Sequence, residues 1–148
     1  MHPSWGRYPD TVLRFPEAGL RIDLRRPLSP ADLRALADIG LSGPFAVITS
    51  CNPLGRPLEE AANGRLTAVL TALVLDRYPA ARLAHGGSPD GAHQERGWAI
   101  PAPLDEVRAL AARFFQNGVF WCDAGRFYIV PVLASHPMLA LPAGGVDS

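Results

Sequence analysis

The sequence predicts an α+β domain on three observations: short strand-like runs lie towards both ends, three amphipathic helical stretches lie among such runs, and no strict strand–helix–strand repeat orders them. The expected order is ββαβαββαββ, a single domain over residues 1–148 with one mixed or largely antiparallel sheet and about three helices packed on it. Strand order cannot be read from the residues.

Thr11 to Phe15 and Gly19 to Leu24 alternate around the turn residues Pro16-Glu17-Ala18-Gly19 and read as two short strands. A helix follows at Pro30, a residue suited to the first helical position, with Ser29 as its cap and Asp32 complementing its positive end. Its apolar face is expected at Leu33, Leu36 and Ala37, and Gly40 is its left-handed stop. Phe45 to Cys51 is apolar without alternation, the pattern of a strand covered on both faces, and is the expected central strand. The loop Asn52 to Pro57 leads into the longest helix, about Leu58 to Asp76, with Leu66, Val69, Leu70 and Leu73 at core spacing.

Ala80 to His85 and Arg96 to Ile100 read as strands flanking a polar loop, Gly86 to Glu95, which is long for a hairpin. Pro103 and the acids Asp105 and Glu106 open a third helix with the stripe Val107, Leu110, Ala111 and Phe114, stopped at Asn117-Gly118. Val119 to Cys122 and Arg126 to Val130 form a hairpin around a three-residue turn, Asp123-Ala124-Gly125. The tail beyond Val132, rich in Pro, Gly and Ala, is expected to wrap the surface or fray.

Composition narrows function by exclusion. Hydrophobic residues at 48% against 19% charged exclude a disordered chain. Fourteen basic residues balance fourteen acids, so no net field draws the chain to nucleic acid or anionic lipid, and neither partner is expected. All fourteen are arginines, which excludes lysine chemistry such as a Schiff base or a P-loop. Cys51 and Cys122 lie in apolar strand-like stretches and are expected to be reduced and buried. The first residues lack a basic-then-apolar pattern and no run reaches membrane-spanning length, so cytoplasm is the expected location.

The informative unit is the central strand, its loop and the helix that follows. Seven residues before Leu66 and Leu70 stand Glu59 and Asn63, so the helix's core-facing stripe turns polar where it meets the strand's end. With Asn52 and Arg56 these groups either converge on a ligand or satisfy the loop backbone. Glu95 borders an apolar strand and is a candidate general base as well as a candidate structural contact. Asp90, His93 and Glu95 with His85 have spacings that suit a metal, but no HExxH, paired CxxC or calcium-loop pattern accompanies them, so neither metal nor cofactor is expected. Cys51 reads as an inert small hydrophobe rather than a nucleophile, and the aromatics from Phe114 to Tyr128 as packing.

Phe45 to Pro53, then Asn63 and Arg65, then Gly86 to Ala99, then Phe115 to Trp121 occur in a fixed order. Over roughly residues 10 to 132 this resembles a bacterial family, the domain of unknown function catalogued as three-two-nine-three. Its members look like short proteins with an Ile-Thr-Ala-x-Asn-Pro segment, a downstream Asn and Arg, a Glu before a strand, and a Phe-x-Gln segment. The resemblance implies no activity. It marks Asn52, Asn63, Arg65, Glu95 and Gln116 as matching positions; Cys51 falls where the pattern varies, and Ser50 stands where it has Ala. Two readings follow. In the first, these five residues bind a small polar or anionic molecule, with Arg65 pairing an anion and Glu95 accepting a proton. In the second, they hold the loop, and an apolar surface patch serves a protein partner.

Overall fold

The N-terminal alternation becomes a hairpin in the computed structural model, which describes residues 5–143. Strands β1 (Val12–Phe15) and β2 (Leu20–Asp23) pair antiparallel across a 3-10 turn at Pro16–Ala18, closed by Gly19 at φ 58°. Helix α1 (Pro30–Asp38) starts on a full capping box: the Asp32 N–H donates to Ser29 Oγ and the Ser29 N–H donates to the Asp32 carboxylate, each at 3.0 Å. Leu36 is its buried anchor, and the Leu41 N–H returns to the Leu36 carbonyl at 2.9 Å. Leu33 and Ala37, expected on that face, are exposed; Leu33 lies instead beside the turn at Gly125.

The central strand β3 (Phe45–Thr49) is covered on both sides. Phe45 and Val47 enter one core while Ala46 and Ile48 enter another, so the first four residues are all apolar and no alternation shows. Next come α2 (Glu60–Arg77), β4 (Arg82–Leu83), β5 (His85–Gly87), β6 (Gln94–Glu95) and β7 (Gly97–Ile100). The chain continues with α3 (Leu104–Arg113), β8 (Gly118–Asp123), β9 (Arg126–Pro131) and β10 (Leu139–Ala140).

The strands make two antiparallel sheets, not the one expected: a six-stranded sheet in the order β10-β9-β8-β3-β7-β4 and a four-stranded one in the order β2-β1-β5-β6. Both arms of one long hairpin cause the division. Arg82 and Leu83 pair with β7, whereas His85 to Gly87 pair with β1; Gln94 and Glu95 pair with β5, whereas Gly97 onwards pairs with β3. At the crossover the Ala84 N–H donates to the Gly97 carbonyl at 3.1 Å. A side chain at Gly97 would collide with the Ile48 carbonyl, so this approach requires glycine.

One core lies between the two sheets and α1, with Phe45 edge-on to Phe15 at 6.4 Å and to Phe127 at 5.8 Å. The other lies between the larger sheet and α2 and α3, where Ile48, Leu70, Val74, Ile100 and Leu110 meet. Trp98 Nε1 donates to Thr71 Oγ1 at 3.1 Å and ties β7 to α2. The stripe read for α3 is buried throughout, but on α2 the core residues are Leu70 and Val74, while Val69 is 53% exposed and Leu75 62%.

Two further expectations are corrected. The β8–β9 turn has two residues, because Asp123 pairs with Arg126 and leaves Ala124 and Gly125 at φ 50° and 75°. The tail supplies β10, and Leu141 fills the inter-sheet core because the Arg126 side chain and the Phe127 carbonyl bond its backbone. Among the described residues no helix is long and apolar enough to cross a membrane.

Candidate functional site

Beyond β3 the chain bends sharply, and the bend is made by residues that rarely adopt its geometry. Asn52 (φ 49°) and Leu54 (φ 58°) are both left-handed, as is Phe115 (φ 55°) after α3. For non-glycine residues this conformation costs energy, and it persists where surrounding bonds enforce it. Here the two bends brace each other: the Leu54 N–H donates to the Phe115 carbonyl at 2.7 Å, and Gln116 Nε2 donates to the Cys51 and Phe114 carbonyls at 3.1 Å each. Gln116 is buried, so the structure places it behind the loop as a brace.

Asn52 and Asn63 interlock in front. The Asn52 N–H donates to Asn63 Oδ1 at 2.9 Å, and Asn63 Nδ2 donates to Asn52 Oδ1 at 2.8 Å. Asn52 Oδ1 also accepts the Leu58 N–H at 3.0 Å, so the pair closes the loop onto the first turns of α2. The remaining donor of this network, Asn52 Nδ2, reaches Glu95 Oε2 at 3.4 Å. That oxygen also accepts from His93 Nε2 at 3.0 Å. Glu95 is shielded relative to His93, with side chains 24% and 58% exposed.

Asn52, Asn63, His93 and Glu95 thus come from a loop, a helix and a hairpin, and all four line a cleft of about 460 Å³. Glu60, Gly64 and Thr67 add the helix wall, Cys51 part of the floor, and Arg96 a cation. Cys51 is buried with its Sγ 3.6 Å from Thr67 Oγ1, and both cysteines are free thiols. Engaging His93 Nε2 with a carboxylate leaves Nδ1 as the nitrogen available to a ligand, an arrangement able to accept a proton or a hydrogen bond. The field of Glu95 extends further: burial first, then this carboxylate, pushes the Tyr8 hydroxyl up to about 12, against a backbone hydrogen bond from Gly118.

Of the five sequence candidates, the structure brings Asn52, Asn63 and Glu95 together and places Gln116 behind them. Arg65 is exposed on another face of α2 and does not line the cleft, and neither does Arg56. The residues not foreseen are Glu60, Gly64, Thr67 and Arg96. The spacing Glu60, Asn63, Gly64, Thr67 is i, i+3, i+4, i+7, a polar stripe on one helix face that the sequence already carried. Among the described residues no group of three or more His, Cys, Asp or Glu is arranged to hold a metal ion; His85 Nδ1 is 3.2 Å from Gln94 Nε2 instead.

Fold and site together define a small α+β domain with a polar cleft at the exit of its central strand. Residues 48–119 match the model of the family described as protein of unknown function (DUF3293). The span contains Asn52, Asn63, Arg65, Glu95 and Gln116. No curated protein and no solved structure matches the chain.

Proposed function

We propose that the chain binds a small polar molecule in the cleft at the exit of β3. The observation that supports this reading is the convergence of three segments on one hydrogen-bonded path, Asn63–Asn52–Glu95–His93, along a cleft whose volume is that of a small-ligand site. The two asparagines spend their amides on each other, on the loop and on Glu95, so they shape the wall. His93, Glu95 and Arg96 offer the ligand a ring nitrogen, a carboxylate and a guanidinium. The anion-pairing role first given to Arg65 passes to Arg96, which lines the cleft.

A thermal-shift screen of small polar metabolites tests the reading. A ligand at a hundred times its dissociation constant adds about 2.7 kcal/mol to stability, which such a screen detects. Compounds that stabilise the wild type should fail to stabilise Glu95→Gln and His93→Ala, each compared with its own melting temperature without ligand. Equal shifts in wild type and both variants would sink the cleft as the site. They would turn attention to the exposed apolar side chains of α2, Val69 and Leu75, as contacts for a protein partner.

A further inference from the structure

We infer that the outer face of the four-stranded sheet, across β2, β1 and β5, is a second binding site, one that takes a small phosphate-like oxyanion. Leu13, Phe15 and Ile22 point into the core between the sheets, so the alternate residues Arg14 and Arg21 stand on the opposite face. The register places Arg14 directly opposite Arg21 on one side and directly opposite His85 on the other. Like charges facing each other across paired strands destabilise a sheet. A row of this kind therefore needs a counter-charge.

The protein supplies it only in part. Arg14 Nη1 is buried without a hydrogen-bond partner. The Asp23 carboxylate is held by Arg25 at 2.8 and 2.9 Å. Asp90, in the loop that crosses the row, feels the Arg14 charge, but its Oδ1 is taken by Ser88 Oγ at 2.6 Å and the Ala92 N–H at 2.9 Å, so one shared carboxylate faces two guanidinium groups. Gln94 is neutral and bonds His85. Burial first, and then the Arg96 charge, lowers the pKa of His85, so near neutral pH the ring adds no charge to the row.

The 88–93 loop lies over the row. Arg21 Nη2 donates to the Pro89 carbonyl at 3.3 Å, and a side chain at Gly91, a left-handed glycine at φ 76°, would stand 3.7 Å from Arg14 Nη2. Three strands at ordinary spacing make the row roughly 10 Å wide. That width suits one or two phosphoryl groups rather than a nucleic-acid backbone. Forked guanidinium donors match phosphate oxygens geometrically as well as electrostatically.

The experiment measures thermal unfolding with inorganic phosphate and with pyrophosphate against chloride at matched ionic strength, and follows the His85 ring by NMR titration. Phosphate or pyrophosphate should raise the melting temperature of the wild type beyond chloride and move the His85 titration to higher pH, since a bound anion favours the imidazolium. Arg21→Gln, an exposed position, and Arg14→Met should lose both responses, and Arg14→Met should gain stability in chloride because it removes the unpaired buried donor. Responses equal to those in chloride, or unchanged in both variants, would overturn the site. Tighter binding of a short single-stranded oligonucleotide than of pyrophosphate would overturn the small-ligand assignment. Arg14 and Arg21 do not line the cleft, so failure here leaves the proposed function untouched, and the reverse also holds.

Discussion

Ser50 is fully buried and its hydroxyl has no hydrogen-bond partner, at the position where the family pattern read from the sequence has alanine. Removing a buried polar group that makes no bond relieves its desolvation cost, so Ser50→Ala should stabilise the fold by about 1 kcal/mol. Asn63 is the opposite case. Both ends of its amide are bonded to Asn52, and truncation strands the Asn52 N–H, so Asn63→Ala should lose about 1 to 3 kcal/mol. Urea melts of the two variants beside Leu70→Ala, a core truncation expected to lose roughly 2 to 5 kcal/mol, check both signs together. Asn63 was legible in the sequence because a polar residue on an apolar helical stripe must find a partner. The hydrogen bond between His93 and Glu95 was not foreseen, although Glu95 was read as a candidate base and ligand contact and His93 as a candidate metal ligand, because a contact between residues two apart at the start of β6 leaves no periodic trace. Arg65 and Gln116 matched the family pattern yet stand outside the cleft, since a pattern records fold-holding positions and ligand-facing ones alike.

Among elements, the start of α1 was readable from chemistry confined to four residues, Ser29 to Asp32, and the structure realises the whole box. The β8–β9 turn was misread by one residue because glycine marks a left-handed site without saying how many residues share it. Its first residue, Ala124, adopts φ 50° with a side chain that disfavours that conformation. Ala124→Gly should therefore stabilise the hairpin by about 0.5 to 1 kcal/mol, the strain relieved slightly exceeding the added unfolded-chain entropy. Chemical denaturation of this variant is the check, and a loss of stability would show that the turn is not strained. The β4–β7 hairpin was legible as two strands and a loop. Its division between sheets was not, because pairing partners are set by tertiary contacts such as the Gly97 approach.

At the scale of the molecule, strand order lay outside the sequence while the α+β class did not, since class follows from element types and order from non-local packing. The assembled fold sets a pH profile. Burial, with Asp123 adding to it, pushes the Cys122 thiol up to about 12, and Tyr8 stands at about 12 as well. Both folded values exceed the unfolded ones of 9.0 and 10.0, so the folded state binds more protons and stability falls as pH rises from about 9 towards 12. On the acid side the pKa of His85 is lowered from 6.5, and the hydrogen bond from Arg25 holds Asp23 at about 2, below its usual 3.8. In each case the unfolded chain binds more protons, so stability declines below about 6.5 and again below about 4. Arg25 is about half exposed, which keeps the Asp23 contribution small. Melting temperature against pH should show a plateau from about 6.5 to 9, and Cys122→Ala should flatten the alkaline limb while leaving the acid limb in place.

The interlocked asparagines also set a clock. Asn63 is followed by Gly64, the dipeptide in which an asparagine most readily cyclises onto the next backbone nitrogen and ages into aspartate or isoaspartate. Helical backbone and a doubly bonded amide hold Asn63 away from that reaction geometry, so the chemistry proceeds only when the first turns of α2 open. Each such event would replace a neutral wall residue of the cleft with an acid facing Glu95. The slow appearance of deamidated 63–64 peptide in stored protein therefore measures how often the closed loop comes undone.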